Sequence, residues 1–224
     1  GLVYKDFRNQ LGHTGSHVVA PYKLDPRWVR ILGYDAGAQH PTAILFGAIK
    51  PPRTLVIYDE IHTKGLSIAE YARLIKIKLG DVAPFAIYID PSAKQLAIDL
   101  ATFGVYAHQA ENPVLPGVAR VTQAIRSGEL EIFSHCEKTI WEFEHYVWDE
   151  ERNKPLKEND DAMDALRYIF SYPFPAYSDS KEDTTLLDLP PTERKYWSHV
   201  FEKRKIQEER RQSVVSGFSL WEYD

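Results

Sequence analysis

Apolar positions along this 224-residue chain fall into runs of two periods. Three runs rich in Ile, Leu, Val and Tyr cover Trp28 to Asp35, Thr42 to Ile49 and Thr54 to Ile61. The turn residues Gly37, Pro41, Pro51 and Pro52 separate them, which predicts an antiparallel three-stranded meander. The period then changes. Ser67-Ile68-Ala69-Glu70 has the spacing of a capping box and opens a helix to about Leu79, with Ile68, Tyr71, Ala72, Ile75 and Leu79 on one face. A strand from Phe85 to Asp90 feeds a helix from Ser92 to Phe103, with Ser92 as N-cap and Gly104 as its stop. A short strand at Val105 to His108, a helix at Gly117 to Ser127, a strand at Leu130 to Phe133 and a helix from Glu137 to about Val147 follow. After a polar loop from Asp149 to Glu158, a last helix runs through Asp164 and ends before Pro173.

Strands followed by strand–helix units imply an α/β class: a mixed sheet, part meander and part parallel crossover, flanked by helices. Residues 1–25 read as an N-terminal arm, with extended pieces near Leu2 to Phe7 and His17 to Ala20, and 26–173 as the folded domain. Residues 174–224 read as a linker rich in acids, serines and prolines, then a charged helix from Thr192 to about Gln212. That helix has one apolar stripe, Tyr196, Trp197, Val200 and Phe201.

Composition narrows the class. With 44% hydrophobic and 26% charged residues the chain is globular in character. No apolar run approaches the roughly 20 residues that span a bilayer, and no signal-peptide pattern opens the chain, so a soluble intracellular protein is expected. The single cysteine, Cys136, excludes an internal disulfide and a cysteine-rich zinc site. The start at Gly1, with Met163 as the only methionine, reads as a piece of a longer polypeptide. A net charge of −5 argues against nonspecific nucleic-acid binding, unless bound metal neutralises some of the acids.

The acids are placed suggestively. Asp35 and Asp90 each end an apolar strand run, and Asp164 lies inside the last helix. A buried carboxylate is costly without a cation opposite it. If the first and fourth strands are neighbours, Asp35 and Asp90 lie together and Asp164 completes a site from a helix across the strand ends. Three aspartates of this kind suit hard divalent cations. Asp160, Asp161 and Glu60 are further candidate ligands. Each has a plainer alternative: helix capping for Asp160, a favourable first-turn charge for Asp161, and a solvated strand end for Glu60; Asp35 could likewise be a turn residue before Ala36-Gly37, Asp90 a helix-entry residue before Pro91, and Asp164 an exposed surface position. Lys154 and Lys157, in the loop before the last helix, are candidate phosphate contacts or simply solvated loop residues. Trp141, Phe143, Tyr146 and Trp148 read as core, and His135 and Cys136 as structural.

Five segments, in order, resemble the nuclease domain of large terminase subunits from tailed bacteriophages. They are Gly1-Leu2-Val3-Tyr4; Gly33-Tyr34-Asp35-Ala36-Gly37 with His40-Pro41-Thr42-Ala43; Tyr58-Asp59-Glu60; Ile89-Asp90-Pro91-Ser92-Ala93; and Asn159-Asp160-Asp161-Ala162-Met163-Asp164-Ala165-Leu166-Arg167-Tyr168. The resemblance implies a ribonuclease H-like fold, one of the few whose element order fits. It implies an endonuclease that cuts double-stranded concatemeric viral DNA during genome packaging, by two-metal phosphodiester hydrolysis with Mg²⁺ or Mn²⁺. On this reading Asp35 bridges both ions, Asp90 and Asp164 each complete one site, and cleavage leaves a 3′-hydroxyl and a 5′-phosphate. Many relatives have histidine where this chain has Asp161.

Implied partners are double-stranded DNA, an ATPase motor domain preceding this one, the viral portal and the small terminase subunit. The expected location is the host cytoplasm, at the prohead. No Gly-x-x-x-x-Gly-Lys-Ser/Thr sequence occurs, so ATP hydrolysis is not expected of this segment. Two rival readings are a Holliday-junction resolvase-like nuclease of the same fold and a non-catalytic docking module of the packaging motor.

Overall fold

Why the acids meet is a matter of strand order. The computed structural model describes residues 1–171 and 174, apart from 38, 39, 112 and 150. Its strands are β1 (Val18–Val19), β2 (Val29–Asp35), β3 (Thr42–Lys50), β4 (Thr54–Thr63), β5 (Ala86–Ile89), β6 (His108–Gln109), β7 (Leu130–Phe133), β8 (Trp148–Asp149) and β9 (Lys154–Pro155). Its helices are α1 (Ile68–Leu79), α2 (Lys94–Thr102), α3 (Val114–Arg126), α4 (Glu137–His145) and α5 (Asp161–Ile169). Seven strands form one sheet in the order β1-β7-β4-β3-β2-β5-β6. The segment β2-β3-β4 is the expected antiparallel meander, while β5 runs parallel to β2, β6 to β5, β7 to β4 and β1 to β7. This is the mixed ribonuclease H-like α/β fold.

Alternation along the strands decides what each face carries. Leu32, Tyr34, Ile44, Phe46, Ile61, Ile87 and Ile89 pack with Tyr71, Ala72 and Ile75 of α1 and Leu100 of α2 in one apolar core. Intervening positions, among them Gly33 and Asp35, face the other side, where α5 crosses the sheet. Gly33 matters there because a Cβ at this position would stand 1.9 Å from the Ala165 carbonyl oxygen. Only a residue without a side chain lets the α5 backbone lie so close to β2. From Ala162 to Ile169 every residue of α5 is buried, so this helix is a core element that also carries charge.

The capping box at Ser67 and Glu70 forms as predicted. Elsewhere the element ends differ from expectation for local reasons. Ser92 does not cap α2; Ala93 holds that position, and the Ser92 hydroxyl and N–H both donate to Asp90 Oδ1. Helix α3 starts at Val114, earlier than Gly117, because Pro116 falls in the first turn, where its missing N–H costs no helical bond. The short fifth strand is His108–Gln109, set by pairing Tyr88↔His108 with β5. Helix α4 stops at His145 as Tyr146 turns extended, and the polar loop contains the hairpin β8-β9.

The arm contributes an edge strand, β1, and Leu2 bridges to Val147. Phe143 and Tyr146 are buried with Tyr4, but Trp141 is 43% exposed and stacks on His145, so it is not core. Cys136 is buried. The linker and charged helix expected beyond Phe174 lie outside the described residues. Among those described, no helix is long and apolar enough to cross a membrane.

Candidate metal centre and its surroundings

Parallel pairing of β2 with β5 puts Tyr34 opposite Ile89, so Asp35 and Asp90 leave adjacent strand ends side by side. One phenol reads both. Tyr168 Oη lies 2.8 Å from Asp90 Oδ2 and 3.2 Å from Asp35 Oδ1, and its ring is 1% exposed. A phenol has a single proton, so it serves both carboxylates fully only when one of them is protonated. Burial first, and then the charge of Asp164, push the Asp35 carboxyl up to about 7. Burial also works against the Asp90 carboxylate, but hydrogen bonds from Ser92 and Tyr168 and the charge of Lys157 outweigh it and hold Asp90 below its usual range. Neighbouring acids are thereby driven apart.

Asp164 is 5% exposed and satisfied from two sides. Arg167 donates to Oδ1 through Nε at 3.1 Å and Nη2 at 2.6 Å, and Lys157 Nζ donates to Oδ2 at 2.9 Å. The same ammonium stands 3.2 Å from Asp160 Oδ2. Lys157, a phosphate candidate from the sequence, therefore turns into the acids in this structure, because two carboxylates attract it. Lys154, on β9, is exposed. Asp160 occupies the N-cap position of α5 but its side chain caps nothing there; burial, then Asp164, raise its carboxyl above the usual range.

Two candidates lie elsewhere. Glu60 does not join the cluster: its carboxylate accepts the N–H groups of Lys138 and Thr139 at 2.9 Å each and the Thr139 hydroxyl at 2.6 Å, so it caps the start of α4. That use of Glu60 follows from β4 lying beside α4, a packing invisible in the sequence. Asp161 points to His62, whose Nε2 is 3.6 Å from its Oδ2. His62, Glu142, Arg167 and Tyr168 were not singled out as site residues from the sequence. For Arg167 a signal existed, since Asp164 and Arg167 stand three apart on one helix; for His62 and Glu142, 80 residues apart, none did.

Asp35, Asp90 and Asp164 thus present carboxylate oxygens from two strand ends and a buried helix, with the Lys157 ammonium held by Asp164 and Asp160. Oxygen donors, crowded like charges and a resident cationic side chain fit a hard divalent metal.

A central meander extended by parallel strands, with acids at the ends of β2 and β5 and on a covering helix, defines a ribonuclease H-like domain. The chain belongs to the terminase RNaseH-like domain family, whose model matches residues 32–172. Among solved structures it resembles the large terminase of the thermophilic bacteriophage D6E, at 26% identity and TM-score 0.66, over 75% of this chain and 43% of that one. It also has the fold of the P22 large terminase nuclease domain, at 19% identity and TM-score 0.65 over 76% and 91% of the two chains. The g2p large terminase nuclease domain of bacteriophage SPP1, solved with bound Mn, matches at 16% identity and TM-score 0.56 over 76% and 98%. A search of curated proteins finds no match. This chain spans less than half the length of the D6E large terminase.

Proposed function

We propose that this domain is a metal-dependent endonuclease that cuts double-stranded concatemeric viral DNA during genome packaging. The observation that carries the reading is the pairing of Asp35 and Asp90 through Tyr168, with Asp164, held by Lys157, close enough for its charge to act on Asp35. These three aspartates would hold Mg²⁺ or Mn²⁺. The ions would supply charge neutralisation and Lewis acidity for phosphodiester hydrolysis. The protein's own part is preorganisation: Tyr168 aligns two carboxylates, Arg167 orients the third, and α5 is fixed by burial on both sides.

A metal held by these acids would free the Lys157 ammonium from Asp160 and Asp164, and the lysine would then be available as a phosphate contact, with Lys154 nearby in sequence. Backbone contacts of this kind give affinity without sequence readout. Double-stranded DNA, a preceding ATPase motor domain, the portal and the small terminase subunit are the proposed partners, and the prohead in the host cytoplasm is the proposed location.

Supercoiled plasmid incubated with the chain and Mn²⁺ or Mg²⁺ tests this. Metal-dependent nicking and linearisation are expected, lost by about a hundredfold or more in Asp35→Asn and Asp164→Asn variants that remain folded. Plasmid equally intact with wild type and variants, in either metal, would remove the isolated domain from the nucleases.

A further inference from the structure

Beside the three acids, toward α4, lies a second group of metal-ligating side chains. His62 is on β4, Glu142 on α4, and Asp161 opens α5. His62 Nε2 is 2.9 Å from Glu142 Oε1 and 3.6 Å from Asp161 Oδ2, and one donor atom of each residue lies within 4.8 Å of the other two. With metal–ligand bonds of about 2.0–2.2 Å, donor atoms around one ion stand about 3.0–3.5 Å apart, from octahedral to tetrahedral packing. The two separations from His62 bracket that range, and the third lies within 4.8 Å, so side-chain movement of about an ångström closes the shell.

The surroundings of Glu142 are those of a supported ligand. It is 2% exposed. Its Oε2 accepts the N–H groups of Ala162 and Met163 at 2.8 and 3.2 Å, which anchors the carboxylate and directs Oε1 at His62. Outer hydrogen bonds of this kind orient metal ligands. Two carboxylates this close, one of them fully buried, need positive charge between them. The imidazole alone offers one charge; a divalent ion offers two and leaves the histidine neutral.

We propose that His62, Glu142 and Asp161 bind one divalent transition-metal ion of the Zn²⁺, Mn²⁺ or Co²⁺ class, at a site separate from Asp35, Asp90 and Asp164. The imidazole nitrogen selects such ions over Mg²⁺ and Ca²⁺, which prefer all-oxygen shells. An ion here ties β4, α4 and the first turn of α5 together. Because α5 also carries Asp164 and Tyr168, the site sets the position of the helix that builds the acid cluster. No phosphate chemistry is asked of it, so it stands whether or not the domain cuts DNA.

The test uses the full chain with Asp35→Asn and Asp90→Asn, which weakens the acid cluster and leaves the second group intact. Co²⁺ is titrated and followed by visible absorption and calorimetry. One Co²⁺ per chain is expected, with the absorption of a nitrogen-containing shell, and a large excess of Mg²⁺ should not displace it. Adding His62→Gln, which preserves a hydrogen bond to Glu142, should weaken Co²⁺ binding about tenfold or more and change the spectrum. Asp161→Asn, in the half-buried first turn, should do the same and serves if His62→Gln does not fold. No Co²⁺ bound by the parent, or unchanged binding in both added variants, would overturn the proposal.

Discussion

At the scale of single residues, the site is a balance of charges in which Lys157 is the movable weight. Arg167 is buried beside Asp164, and its loss would leave Oδ1 of that buried carboxylate without its two guanidinium hydrogen bonds, at a cost of about 3 kcal/mol or more. The Lys157 side chain is 69% exposed, so its ammonium can leave into water at little cost. A metal bound at Asp160 and Asp164 would have to displace it. Lys157→Met is expected to tighten Mn²⁺ binding without DNA by about three- to tenfold, the worth of a partly exposed ion pair. Calorimetric titration measures this, and weaker binding by the variant would show that the lysine assists the metal. Tyr168 has the opposite character: buried and hydrogen-bonded to two acids, it stays where it is.

At the scale of elements, α5 decides the geometry. Its N-terminus is held by Glu142 of α4, its middle by contact with β2 at Gly33, and its C-terminal part by Arg120 of α3, whose Nη1 donates to the carbonyls of Phe170 and Ser171. A methyl group at Gly33 has no space, and backbone lies on the other side. Gly33→Ala is therefore expected to push α5 off the sheet, at a cost of about 1–3 kcal/mol in stability, and to weaken Mn²⁺ binding as Asp164 and Tyr168 move from Asp35. Urea denaturation and metal titration on the same sample check both effects. A variant with wild-type stability and affinity would mean that α5 is not set by this contact.

At the scale of the whole molecule, the buried acids tie stability to pH. The folded Asp35 carboxyl has a pKa of about 7 against 3.8 for an ordinary one, so the folded state holds its proton more tightly than the unfolded state. Stability must then fall as pH rises from about 4 to about 7, and stay lower above that. Burial raises the carboxyls of Asp160, Asp161 and Glu142, with the same sign. His62, raised by its hydrogen bond to Glu142, adds stability below pH 6.5 that is lost as pH passes its folded value. Asp90 acts oppositely, since its lowered pKa gives stability that is lost in acid. In EDTA, the melting temperature is expected to drop between pH 5 and pH 8, to recover at pH 8 with Mn²⁺, and to drop less in Asp35→Asn. A metal-free melting temperature that rises over this range would contradict the assignment of a buried, proton-holding cluster.

Local pattern along the chain was enough to place most of the strands and helices and to single out the candidate acids. Periodicity located β2, β3 and β4, the Ser67–Glu70 box opened α1, and strand-ending Asp35 and Asp90 with helical Asp164 were legible because short-range pattern and local chemistry encode them. The packed fold set whatever depends on which elements touch. It paired β2 with β5, laid α5 on Gly33, sent Glu60 to the start of α4, turned Lys157 into the acids, and joined His62 to Glu142 across 80 positions. Those contacts are chosen by packing and by the need to pair buried charge, and both act between residues far apart along the chain.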